Sequence, residues 1–179
     1  MSIKLSILIP FSTNHIPHLD SLMTTLKPQL VDEVEVITDG SMEYNIGVKR
    51  QKMLELAKGD YIVFIDADDH ISNYYVSYIL NALQSNPDCV GISGIYTTNN
   101  TNLEFWHISK DYGYWHTKDG VYLRTPNHIS PVRRELALQA GFPEIERGED
   151  AEYSRRLYPL LKTEVKISGN LYHYDYWIK

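Results

Sequence analysis

The chain holds one cysteine, Cys89, in 179 residues. A lone cysteine closes no internal disulfide, and one set in an apolar stretch packs as a small hydrophobe rather than serving as a nucleophile. A reducing compartment suits such a chain. Long apolar runs are missing too. None approaches the length of a membrane span, and the first ten residues carry one lysine and too short an apolar stretch for a secretory signal. The expectation is a cytoplasmic protein, with a peripheral position at a membrane left open. Basic residues are in deficit, 17 Lys and Arg against 23 Asp and Glu, for a net charge of −6. Nucleic-acid binding needs a basic stripe along the phosphates, so nucleic acid is disfavoured as a partner. Repeats and linkers are also absent, and the length fits one domain with a substantial core.

What the chain does have is centred on Tyr61–Ile65, five apolar or aromatic residues that run into Asp66, Asp68 and Asp69. A short unbroken run of this kind, preceded by Gly59 and Asp60, predicts a strand buried on both faces of a parallel sheet. The acids then lie at its carboxyl end, where open α/β sheets bind ligands. Asp66 and Asp68, two apart in extended chain, project to one side. Two carboxylates that close repel unless a cation lies between them, and an all-oxygen set suits Mg²⁺ or Mn²⁺ holding phosphates. An acidic turn that caps the next helix, with Asp69 or Ser72 as N-cap before Tyr74–Leu83, fits the same residues.

Two more strands end in polar clusters. Leu5–Ile9 stops at Pro10 and the loop Phe11 to Asn14, and Val34–Ile37 stops at Thr38, Asp39, Gly40 and Ser41. Helices are expected over 17–30, over 46–58 with Gly59 at its C′ position, and over 72–86. Alternating strands and helices give a parallel sheet with right-handed crossovers, whose polar strand ends share one edge. Beyond residue 86 the pattern changes. Strands over 89–96, 103–108 and 120–123 suggest an antiparallel part, followed by a helix opening at Ser130–Pro131 and ending at Gly141, and another over 149–161. The last residues read as a hairpin, 162–167 and 171–174, turning at Gly169 and Asn170.

These residues, in this order, resemble inverting family-2 glycosyltransferases of the GT-A fold. The resemblance rests on Pro10 and Asn14; Asp39, Gly40, Ser41; Gly47, Arg50, Ala57, Gly59; Asp66, Ala67, Asp68, Asp69; Gly141, Phe142; and Gly148, Glu149, Asp150 with Arg155, Arg156 and Leu157. It implies an α/β GT-A sheet, mainly parallel and flanked by helices, with a small antiparallel part in the second half. Residues 1–86 would form the nucleotide-binding half and 87–179 the acceptor-binding half of one minimal domain.

The resemblance also implies roles. Pro10, Phe11 and Ser12 would lie against the nucleotide, Asp39 would accept a hydrogen bond from the base, and Arg50 would meet the pyrophosphate or hold the acids. Asp66 and Ala67 would line the donor site, with Asp66 on the ribose or sharing the metal and Asp68 as principal ligand to Mn²⁺ or Mg²⁺. Asp150 would be the general base, with Glu149 as its alternative, and His173 an extra metal ligand, with His128, beside Asn127, a similar case. The donor would be a nucleotide-diphosphate sugar, UDP-sugar in the first instance, and the acceptor a saccharide, lipid-linked saccharide or protein. Family members often have paired acids where this chain has Thr38 and Asp39, and asparagine where it has Gln51. The helix after Asp150 lacks the Gln-x-x-Arg-Trp pattern of processive synthases, which implies single addition.

Trp106, Trp115 and His116 suit either an acceptor groove or the core. A haloacid-dehalogenase-like phosphatase also puts Asp-x-Asp after a strand, but wants Thr or Val where this chain has His70. A pyrophosphorylase wants a glycine-rich basic loop after the first strand, and 10–14 contains no glycine. A non-catalytic binding domain of the same fold would have no use for both Asp68 and Asp150.

Overall fold

The structure is a computed structural model that describes residues 2–99 and 101–176. At its centre, β1 (Leu5–Pro10) lies between β2 (Val34–Asp39) and β3 (Tyr61–Phe64), all parallel. Every residue from Tyr61 to Ile65 is fully buried, as expected of a strand covered on both faces. Side chains alternate between two apolar layers. Leu5, Ile7, Ile9, Tyr61 and Val63 pack with Leu22 and Leu26 of α1 (Ile16–Leu26) and with α3 (Tyr75–Ala82). Leu8, Ile62 and Phe64 pack with Met53 and Leu54 of α2 (Ile46–Leu56) and with α4 (Arg134–Ala140) and α5 (Glu149–Leu157).

The sheet continues through β9 (Val132–Arg133), β5 (Cys89–Thr98), β6 (Thr101–Ile108), β8 (Val121–Arg124) and β7 (His116–Lys118). The β5–β6 and β7–β8 pairs are antiparallel, whereas β6 and β8 run parallel. The β7–β8 turn places Asp119 and Gly120 both at positive φ, which suits a two-residue hairpin. The result is a mixed α/β sheet with parallel central strands and helices on both faces, the expected fold class. Cys89 is buried in β5, and burial pushes its thiol pKa up, as befits a core residue. Among the described residues no helix is long and apolar enough to cross a membrane.

Three local expectations are corrected. Ser130–Pro131 opens no helix: Val132 pairs with Ile62 and Cys89, inserting between β3 and β5, and α4 starts only at Arg134. The pairing of a fully buried valine outweighs the capping signal. No closing hairpin forms either. Residues 164–176 make one strand, β10 (Glu164–Tyr176), parallel to β5 and antiparallel to β4 (His70–Ile71), and left-handed Gly169 sits in a register shift of a continuous ladder. Gly59 is not a helix C′ residue, since α2 ends at Leu56 with Ala57 as C-cap. Its lack of a side chain serves close approach: a Cβ there would lie 2.7 Å from the backbone N and Oγ of Ser6.

Candidate active site

The loops after β1, β2 and β3 meet the first turns of α2 around a cavity of about 300 Å³. Pro10, Phe11, Ser12, Arg50, Asp66, Ala67 and Asp68 all line it, so the structure brings together most of the residues expected to hold a donor. Asp39 is not part of the lining. Its Oδ1 accepts the Ser41 N–H at 2.8 Å and so shapes the loop whose Ser41 and Met42 do line the cavity. Asn45 caps α2 by accepting the Val48 N–H at 3.0 Å, which fixes the turn carrying Lys49 and Arg50. Lys49 donates to the Phe11 carbonyl at 2.8 Å. Burial pushes its pKa down, against the pull of Asp39 and Glu146.

Asp66 is held on both sides. Oδ1 accepts from Arg50 Nη2 at 2.8 Å, and Oδ2 lies 3.3 Å from His128 Nε2. Burial alone would raise its pKa, but the neighbouring Arg50 and His128 outweigh it and hold this carboxyl far below the usual range. Arg50 is itself buried and shared, with Nε 3.2 Å from Glu149 Oε1. Its Nη1 is buried and has no hydrogen-bond partner among the described residues. Glu149, expected beside Asp150 as an alternative base, is thus a buried counter-ion to Arg50.

Asp69 is 2% exposed and does not cap α3, whose N-cap residue is Tyr74. Its Oδ2 accepts from the Tyr172 hydroxyl at 2.5 Å, and that hydroxyl accepts the Asp66 N–H at 3.2 Å. Burial, followed by the charge of Asp66, raises the Asp69 pKa well above the usual carboxylate range, with the Tyr172 hydrogen bond opposing the rise. Asp68 differs from both neighbours. It is half-buried, lines the cavity, and has no hydrogen bond or ion pair among the described residues.

A second cavity, about 340 Å³, lies over the antiparallel part. Asp150 lines it from the first turn of α5, with Tyr96, Trp106, Trp115, Tyr122 and Tyr174 around it and Arg124 and Asn127 at its polar positions. Gly148, at φ 78°, is the N-cap residue of α5. Asp150 is half-buried and likewise has no hydrogen bond or ion pair among the described residues. Trp106 is 6% exposed and donates to the Ile95 carbonyl, so it serves the core as well as the cavity wall. His116 is outside the lining and packs on Tyr114.

The structure does not gather the three expected metal ligands. His173 Nε2 lies 2.7 Å from Thr97 Oγ1, its ring against His70, and among the described residues no three His, Cys, Asp or Glu side chains form a metal-holding group. Both Asp66 oxygens are engaged, whereas Asp68 has no hydrogen bond or ion pair among the described residues. Sequence reasoning missed His128 as the partner of Asp66, and Tyr172 as the bridge between Asp66 and Asp69. Lys49 enters the cavity as half of the Lys49–Arg50 pair, and a pair of adjacent basic residues suits a small phosphate ligand.

The sequence matches the glycosyl transferase family 2 over residues 19–139. No curated protein matches it. Among solved structures, the chain resembles residues 1–349 of S. aureus TarS in complex with UDP-GlcNAc, with TM-score 0.70 and 16% identity, over 97% of this chain and 58% of that one. The same TarS segment in complex with UDP gives TM-score 0.70 and 16% identity, over 97% and 60%. A longer TarS structure gives 0.69 and 16%, over 97% and 37%. The chain therefore spans at most about three fifths of these structures, and the likeness at that identity is one of fold.

Proposed function

The chain belongs to the glycosyl transferase family 2, and from that premise we propose that it moves a sugar from a nucleotide-diphosphate sugar to an acceptor hydroxyl, one unit at a time, with inversion at the anomeric carbon. One observation carries this reading: two carboxylates without a hydrogen bond or ion pair among the described residues, Asp68 and Asp150, line two separate cavities, and Arg50 of the first cavity pairs with Glu149, the residue next to Asp150. Sugar transfer with inversion needs positive charge on the leaving diphosphate, to which a carboxylate contributes by holding a divalent cation, and a separate base on the opposite face of the sugar to serve the incoming hydroxyl.

In this reading the first cavity takes the donor, with the nucleoside against Pro10, Phe11 and Ser12 and the base near Asp39. UDP is favoured as the nucleotide, in keeping with the UDP and UDP-GlcNAc complexes of TarS. Lys49 and the unpartnered Arg50 Nη1 are cations suited to the diphosphate. The donor set fits Mn²⁺ or Mg²⁺ only in part: Asp68 is a free hard-oxygen ligand, and donor phosphate oxygens would supply others. Bound there, a divalent ion would stabilise negative charge on the leaving phosphate.

The acceptor, a saccharide, lipid-linked saccharide or protein hydroxyl, enters the aromatic cavity. Asp150 takes its proton as the oxygen attacks the anomeric carbon. The bond from that carbon to the phosphate oxygen breaks, and the nucleoside diphosphate leaves with the electron pair.

A thermal-shift screen of nucleotide diphosphates and nucleotide sugars, with and without Mn²⁺, tests the donor half on the wild type and on Asp68→Ala. Ligands of the native state raise Tm by mass action. The expected result is a rise with UDP that needs the metal and disappears in Asp68→Ala. A flat response to every nucleotide removes the basis of the proposal.

A further inference from the structure

Trp115 divides two cavities. On one side is the aromatic cavity that Asp150 lines, and on the other a third cavity of about 330 Å³ lined by Tyr114, Ala151, Ser154, Arg155 and Tyr158. Resting on the glycosyl-transfer reading, we propose that this third cavity is a second acceptor subsite, so that the acceptor is a saccharide chain of at least two units laid across Trp115.

The geometry of α5 gives the first reason. Ala151, Ser154, Arg155 and Tyr158 are spaced i, i+3, i+4 and i+7, one stripe running from the helix into its final turn, while Asp150 borders the neighbouring cavity. A chain following that stripe passes from the third cavity over Trp115 to the carboxylate. Each volume stands at the low end for ligand pockets, which suits one sugar unit per cavity rather than a whole oligomer in either.

The second reason is the way Trp115 is held. Its indole N–H donates to Thr125 Oγ1 at 3.0 Å, Thr125 Oγ1 lies 2.8 Å from Ser154 Oγ, and Ser154 Oγ donates to the Pro126 carbonyl at 2.8 Å. Thr125 and Ser154 are buried, while Trp115 remains half-exposed. A half-exposed ring is thus tied by a buried hydrogen-bond relay to the helix that carries Asp150. The Arg124 guanidinium sits 5.3 Å from the Trp115 ring centroid and steadies it further. Core packing does not require a tryptophan that borders a cavity on either side, whereas a stacking platform set at a fixed distance from the attacking hydroxyl does.

The third reason is chemical. Pyranoses present flat C–H faces with hydroxyls at their edges, and aromatic faces with polar groups at the rim complement them. Tyr96 and Tyr174 stack with centroids 5.4 Å apart in the first acceptor cavity, and Tyr114 and Tyr158 flank the second.

The test measures UDP release from UDP-glucose and UDP-N-acetylglucosamine. The acceptor panel is the methyl glycosides of glucose, galactose and N-acetylglucosamine, with their di- and trisaccharides. The expected result is a rise in kcat/KM of about tenfold from one unit to two, the size of one good stacking contact. Trp115→Ala should remove that step, and Trp115→Phe should retain most of it. Ala151→Trp, which fills the third cavity from the exposed start of α5, should also remove the step while the thermal shift with UDP persists. Equal kcat/KM for one and two units overturns the subsite. So does a step that survives Ala151→Trp, or UDP binding with no saccharide accepted. Failure of UDP to bind the wild type overturns the underlying donor reading instead.

Discussion

The Tyr172 hydroxyl donates to Asp69 Oδ2 at 2.5 Å and accepts the Asp66 N–H at 3.2 Å, so one phenol on the last strand shapes the acidic turn after β3. Tyr172 and Asp69 are both 2% exposed, so both are shielded from bulk solvent. Tyr172→Phe leaves a buried acceptor and a backbone donor unmatched, at a cost of about 1–3 kcal/mol. For a chain of this length that corresponds to a fall in Tm of roughly 3–10 °C. Thermal melts of the two proteins check it, and an unchanged Tm would mean that β10 merely packs against the turn.

Asp69 should behave unlike a surface acid. Burial and then the charge of Asp66 raise its folded pKa, so the native state keeps this proton to higher pH than the unfolded chain does. The associated stability is fully present below the unfolded pKa of about 4 and is lost as pH rises through the folded value. Asp69→Asn has no proton to lose and still offers an oxygen to Tyr172. Its stability relative to wild type should therefore improve between pH 5 and pH 8 in urea melts. A difference that is flat or falls with pH contradicts the assignment.

The two ends of this turn were unequally legible. Tyr61–Ile65 and the carboxylates after it form a local pattern, because a doubly covered strand must be apolar at every position and its end faces the ligand edge. The loops after β1 and β2 follow from the same rule. Tyr172 and His128 do not, since they reach Asp69 and Asp66 from 103 and 62 residues away through strand pairing and an irregular loop. A tyrosine among 14, or a histidine beside Asn127, carries no periodic signal of such a partner. The expected hairpin at Gly169 failed for a related reason. A left-handed glycine marks a turn or a bulge equally well, and only the long partner edge of β5 selects the bulge.

Arg50 neutralises two acids at once, Asp66 at 2.8 Å and Glu149 at 3.2 Å, and is 4% exposed. Arg50→Met removes the cation and strands both carboxylates. Breaking a buried pair in this way costs about 3–5 kcal/mol. Arg50→Lys should recover only part of the loss, because an ammonium lacks the planar fork that reaches both partners. Denaturant unfolding of the two variants measures this, with Arg50→Lys falling between Arg50→Met and wild type.

Asp150 and Asp68 should separate binding from chemistry. Asp150 lines the aromatic cavity and not the donor cavity, so Asp150→Asn keeps the shape of both while removing the proton acceptor. A positioned general base contributes roughly 10²–10⁴-fold, and a fall of that size in kcat is expected with the UDP thermal shift intact. Asp68→Ala should do the reverse at the binding step, weakening the metal-dependent response to UDP. Asp150 makes no hydrogen bond or ion pair among the described residues and Gly148 is the N-cap residue of α5, so asparagine breaks no cap and lost stability would not account for the loss of turnover. If Asp150→Asn turns over at wild-type rate, the base must be sought elsewhere on the aromatic cavity. Glu149 is not the candidate, since it is buried against Arg50.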